Sequence, residues 1–195
     1  SDLLIDRPGH IAGGEIRLKG ERIDNLPEDQ RAKLRGKRIG MVFQDPLTSL
    51  NPLYTVGEQL VETIRTHLPL SEAEARQKAI DLLADTGIPK AAERIDSYPH
   101  QFSGGMRQRV VIALALAAEP ELIVADEPTS ALDVSVQAQI IKVLKKLCAS
   151  RGAAVMLITH DMGVIAQTAD RMVVMHQGKV VETGTVGDII RRPRE

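Results

Sequence analysis

The sequence predicts an α/β protein in which a parallel sheet is covered by helices, with a helical section inserted between strands. Three observations carry this expectation. From about residue 119 onward, short apolar runs alternate with helix-period segments, the rhythm of strand–helix–strand units. Between residues 44 and 118 the chain is strand-poor and helical in pattern. The apolar run Leu-Ile-Val-Ala at 122–125 ends in two adjacent carboxylates, Asp126 and Glu127, followed by Pro128.

Each element follows from its local residues. Residues 15–19 alternate polar and apolar and read as a strand, with Gly13-Gly14 and Gly20 as its turns. The run Ile-Gly-Met-Val-Phe at 39–43 is a short buried strand, and the turn-rich stretch 44–52 follows it. Val56, Leu60, Val61 and Ile64 recur at helical spacing, so 55–68 is a helix. Ser71 and Glu74 form a capping box that opens a second helix ending near Gly87. Pro99 and the pair Gly104-Gly105 punctuate a loop before an apolar helix over 106–118. A strand at 122–125, a helix at 134–149, a strand at 153–159 and a short helix at 162–168 come next. Residues 171–176 and 179–182 make a hairpin about Gln177-Gly178.

Composition narrows the function. Apolar residues make up 43% and charged residues 26% of 195, enough for one domain, or one core with an insertion, around a real hydrophobic core. A net charge of −1 gives no electrostatic footprint for nucleic acid. Two Phe, two Tyr and no Trp leave few platforms on which bases could stack. The single cysteine, Cys148, has no disulfide partner in the chain, and a reducing compartment fits. No apolar run approaches the roughly 20 residues that span a bilayer, so the expectation is a soluble chain that meets a membrane through a partner.

Several positions bear chemistry. Open α/β sheets bind ligands beyond the carboxyl ends of their strands, where Asp126 and Glu127 fall. Two carboxylates there can divide labour, with Asp126 holding Mg²⁺ and Glu127 orienting and deprotonating an attacking water. Ser103-Gly104-Gly105 precedes a helix, and its hydroxyl, backbone N–H groups and helix N-terminus offer an anion site. His160 follows the strand at 153–159, where an imidazole can donate to a phosphate oxygen. Asp161, just after it, reads as a helix N-cap. His10, His67, His100 and His176 have no motif around them.

The series Gln44, Ser103-Gly104-Gly105, Asp126-Glu127, Ala131-Leu132-Asp133 and His160 resembles, in order and separation, the nucleotide-binding subunit of an ABC transporter. The resemblance covers nearly the whole chain. Gln44 matches the Q-loop, residues 102–108 the signature loop, 122–127 the Walker B strand, 130–133 the D-loop and His160 the switch histidine. The run Gln44-Asp45-Pro46-Leu47-Thr48-Ser49-Leu50-Asn51-Pro52 and the segment 131–139 are similar to the dipeptide, oligopeptide and nickel importer branch. The signature reads FSGGM where LSGGQ is the commoner form. No G-x-x-x-x-G-K-[ST] loop occurs, nor the upstream aromatic that stacks on adenine. Residues 1–8 look like the end of something longer, and the chain stops just past Arg191-Arg192-Pro193, before the branch's usual C-terminal extension.

That resemblance implies a RecA-like P-loop NTPase core of the ABC ATPase type with a helical subdomain insertion, its N-terminal P-loop strand missing. Residues 1–195 would be a single partial domain, with 1–43 and 119–195 as core pieces and 44–118 as the Q-loop and helical signature subdomain. ATP and Mg²⁺ are the implied cofactors. Asp126 and Gln44 would serve the metal, while Glu127 would be the general base, with His160 on the γ-phosphate and Gln44 also sensing the attacking water. Ser103, Gly104, Gly105 and Met106 would cap a partner's nucleotide, and Asp133 would bridge the dimer. The implied partners are a second ATPase subunit (in a homo- or heterodimer), transmembrane permease subunits and, indirectly, a solute-binding protein, with no nucleic acid, at the cytoplasmic face of the membrane. Lacking the phosphate-cradling loop, the chain alone is expected to show no significant ATPase activity. The alternative is a non-catalytic partner supplying only its signature face to another subunit's ATP.

Overall fold

A computed structural model describes residues 13–45, 49–129 and 132–191. The readings made at residues 1–8, 46–48, 130–131 and 192–193 lie outside the described residues. The chain divides into two compact units, 1–35 and 36–195.

In the first unit, β1 (Arg17–Leu18) and β2 (Glu21–Arg22) form an antiparallel hairpin with Arg17 opposite Arg22. Lys19 and Gly20 at its tip both have positive φ, +50° and +82°, the pairing that a two-residue turn of matching twist demands. Helix α1 (Glu28–Leu34) follows, one element the sequence pattern did not reveal. It buries no side chain, so it has no apolar stripe to betray it. Acidic residues in its first turn and ion pairs from Arg31 and Arg35 to Glu28 support it instead.

The second unit is built on a parallel sheet in the order β3 (Ile39–Val42), β4 (Leu122–Asp126), β5 (Ala154–Ile158). Val42 pairs with Ala125, and Asp126 with Ile158, so the carboxyl ends of all three strands lie along one edge. Among the described residues β5 pairs with β4 alone, and its Val155, Met156 and Ile158 are exposed.

Helices α2 (Val56–His67), α3 (Glu72–Asp85) and α5 (Gly104–Leu116) share one apolar core with the sheet. Their buried faces carry Leu60, Ile64, Leu83, Ile112 and Leu116. Thr55 and Ser71 close the capping boxes of α2 and α3, each side chain accepting from the backbone three residues on while the Glu there reaches back. The single-turn α4 (Ala91–Arg94) links α3 to the turn at Pro99–Gln101 and is too short to register as a period. Gly87, at φ +90°, ends α3 in a Schellman-type turn, with Ile88 N–H donating to the Leu83 carbonyl. Arg109 of α5 donates to the adjacent Thr86 carbonyl at 2.7 Å, a cation at a helix C-terminus.

Helix α6 (Val134–Ser150) packs on the same core through Ile140, Leu144 and Cys148. Burial pushes the Cys148 thiol up to about 11, so it acts as an inert packing group. Beyond β5 come α7 (Met162–Thr168), the antiparallel hairpin β6 (Arg171–His176) and β7 (Lys179–Thr185), and α8 (Val186–Arg191). Strand β7 runs three residues past the expected end, and the hairpin carries a bulge between Val174 and Met175. Helix α8, at six residues, is too short to read from periodicity. It packs Val186 and Ile189 on Met172 of the hairpin. No helix among the described residues is long and apolar enough to cross a membrane.

Candidate active site at the carboxyl edge of the sheet

The site begins where β4 ends. Strand β4 is buried at Ile123 and Ala125, and Asp126, its last residue, turns outward into solvent. The next residue, Glu127, sits at φ +45°, a left-handed conformation that favours glycine. A bulky side chain held there costs on the order of 1 kcal/mol, and such outliers gather at functional sites. The surroundings over-determine it. Glu127 N–H donates to the Ile158 carbonyl of β5 at 2.8 Å, and Pro128 and Thr129 behind it are buried.

His160 stands two residues past the end of β5, and its Nδ1 lies 2.8 Å from Glu127 Oε1. The imidazole is largely exposed while the carboxylate is about three-quarters buried. The hydrogen bond to Glu127, and then its charge, hold the imidazole above its ordinary value. Neutral or charged, Nδ1 must carry the proton to donate to this carboxylate, which leaves Nε2 facing outward. Asp161 caps α7, accepting from Gly163 and Val164 N–H at 2.9 and 3.1 Å, and so fixes the backbone that carries His160.

Gln44 lies two residues past the end of β3 and is exposed. Since β3 and β4 run in register, it reaches the same edge as Asp126. These two side chains offer oxygen ligands only, and no group of three or more metal-binding side chains exists among the described residues. That donor set fits Mg²⁺, which keeps several waters and shares phosphate oxygens, better than a metal caged by protein alone.

A second cluster forms around the start of α5. Ser103 is the N-cap, its hydroxyl accepting from Met106 N–H at 3.3 Å. A Cβ on Gly105 would stand 3.0 Å from Val136 Cγ1, and one on Gly104 3.6 Å from Leu132 Cδ2, so this turn lies close against the start of α6. Asp133 is the N-cap residue of α6, yet its side chain makes no cap hydrogen bond and it is exposed. Ser103, Gly104, Gly105, Met106 and Asp133 therefore share one neighbourhood. Glu127 and His160 form the other, with Gln44 and Asp126 at the same sheet edge.

One residue joining the clusters carries no role in the sequence reading. Gln108, fully buried in α5, donates from Nε2 to the Pro128 carbonyl at 2.6 Å and lies 3.5 Å from the Phe43 carbonyl. The available signal was an amide on the buried side of a helix whose continuation, 110–118, is apolar.

The ABC transporter family profile matches residues 4–130. The chain belongs to the ABC transporter family. Among ABC relatives, it is 50% identical over 187 residues to an oligopeptide transport ATP-binding protein, OppD, of Bacillus subtilis, covering 96% of this chain and 52% of that protein. It is 49% identical over 191 residues to a dipeptide transport ATP-binding protein, DppD, of Escherichia coli, covering 98% of this chain and 58% of that one. The chain thus spans little more than half the length of these curated relatives. Among solved structures, the ATP-binding cassette MJ0796, in a dimeric post-hydrolysis state bound to ADP and Pi, aligns with a TM-score of 0.77 and 32% identity, over 90% of this chain and 74% of that one. The sheet and helices are those of an ABC ATPase cassette, a RecA-like α/β fold.

Proposed function

We propose that the protein containing this chain is an ATP-hydrolysing subunit that powers ABC-type import of peptides or related small solutes. The observation that carries this reading is the 2.8 Å contact between Glu127 and His160 beside Asp126 at the sheet's carboxyl edge. It supports a reading in which Glu127 serves as base, His160 offers its outward nitrogen and the neighbouring Asp126 binds the metal. The names of the peptide-transport relatives supply the class of cargo.

In this reading Asp126 and the Gln44 carboxamide hold Mg²⁺, and Glu127 orients a water and accepts its proton. His160, paired with Glu127 through Nδ1, would donate from Nε2 to the terminal phosphate. The turn at residues 103–105, with Met106, presents N–H groups to the nucleotide of a partner subunit, and Asp133 crosses the dimer interface. Bound Mg-ATP supplies the phosphoryl group and the charge that these residues stabilise. The fit concerns the metal and the terminal phosphate: the 195 residues contain no G-x-x-x-x-G-K-[ST] loop, so no step is assigned to an inner-phosphate cradle. We read residues 44–118 as the Q-loop and helical subdomain that passes motion to permease subunits, and 1–43 with 119–195 as core pieces. The partners are a second ATPase subunit and those permeases, with a solute-binding protein beyond, at the cytoplasmic face of the membrane. A non-catalytic partner role is disfavoured by the paired Glu127 and His160, which a subunit lending only its signature face does not need.

The test is ATP hydrolysis by the intact protein reconstituted with its permease partners in vesicles. Turnover stimulated by a peptide-loaded binding protein supports the reading. Turnover indifferent to peptides and other small solutes would overturn the import assignment, and none at all would overturn the catalytic one.

A further inference from the structure

The hydrogen bond from Gln108 to Pro128 connects three pieces of the site. Helix α5 begins at the Ser103 cap and, about a turn and a half later, presents the Gln108 carboxamide to the residue immediately following Glu127. The same Nε2 faces the carbonyl of Phe43, the residue before Gln44, in a longer and weaker contact. Both neighbours are carbonyl oxygens, so the NH₂ group must be the part directed at them. Gln108 is fully buried, and its own Oε1 accepts no hydrogen bond. A methionine could fill this space without burying an amide. The contribution of Gln108 therefore lies in what its NH₂ holds.

What it holds is a strained segment. Glu127 has the left-handed φ, its N–H is tied to Ile158 on one side, and the Pro128 carbonyl is tied to Gln108 on the other. With both ties in place the carboxylate is directed at His160. Without the second, relaxation of Glu127 toward ordinary φ swings its side chain away.

Resting on the function proposed above, we propose that Gln108 is a positioning residue for Glu127, clamping the Pro128 carbonyl so that the 103–105 turn, the base and the start of the Gln44 loop move as one unit. A displacement along α5 is then passed directly to the base.

The test replaces Gln108 with Met, which fills the space without a donor, and with Ala as a second variant, in the intact protein. Steady-state kinetics in the reconstituted transporter and amide hydrogen exchange of the nucleotide-free protein are read together. The expected result is kcat lowered about 10- to 100-fold with the KM for ATP within about twofold, the loss that a misplacement of about 1 Å produces. In the Met variant exchange should rise at the Glu127 and Thr129 amides alone, with a melting temperature close to that of the unsubstituted protein. Unchanged kcat with unchanged exchange at those amides would overturn the inference. So would a loss in the Met variant accompanied by lower melting and faster exchange throughout, which marks Gln108 as packing. If the unsubstituted protein does not hydrolyse ATP, the functional reading fails, and exchange at Glu127–Thr129 decides whether Gln108 clamps the loop.

Discussion

Glu127 and His160, thirty-three residues apart in sequence, meet at 2.8 Å across the ends of two adjacent parallel strands. The pairing links the imidazole's protonation to the carboxylate, and the sign follows directly. The folded-state value of His160 lies above its ordinary 6.5 because of Glu127. The pair therefore stabilises the fold below that ordinary value and loses its effect as pH rises through the folded value. The imidazole resonance of His160 should titrate above the ordinary value, and Glu127→Gln should bring it back. A His160 titration that ignores the substitution would show that the pair does not form in solution.

The two serine caps separate folding from function. Ser71 and Ser103 each accept from the N–H three residues on, Ser71 within a reciprocal box with Glu74 and Ser103 alone, but only Ser103 lies in the turn assigned to phosphate. Each Ser→Ala change should lower stability by about 0.5–2 kcal/mol in urea unfolding. Only Ser103→Ala should also lower ATP turnover. Equal effects on turnover would remove Ser103 from the site.

Gly40 marks a close approach of sheet and helix. A Cβ there would meet the Ala115 carbonyl oxygen of α5 and Ile123 Cδ1 of β4, both at 2.6 Å. Gly40→Ala should destabilise the protein by about 1–3 kcal/mol, since a backbone carbonyl cannot move aside as a flexible side chain can. Denaturant unfolding measures it, and an unchanged midpoint would mean that α5 sits farther from β3.

Much of this was legible in the sequence because the informative signals are local. The Ser71–Glu74 capping box, the apolar period of α2 and the buried run of β4 each announce themselves within a few residues. The remaining features depend on tertiary context. Helix α1 has no buried face, and α8 is too short to show a period. The left-handed Glu127 is invisible because nothing in its side chain asks for that conformation. The role of Gln108 needs three segments assembled before its amide has anything to hold. Gln44, Asp126, Glu127 and His160 could be singled out one by one, but that they share one edge follows from the register of three strands.

In the proposed function Glu127 is the base that activates water. The most direct test is the intact protein carrying Glu127→Gln, titrated with Mg-ATP by calorimetry and assayed for phosphate release. Mg-ATP should still bind, since the amide keeps the size and position of the side chain, while turnover should fall about 100-fold or more, as removal of a general base entails. Phosphate release close to that of the unsubstituted protein would contradict it and assign the base to another group.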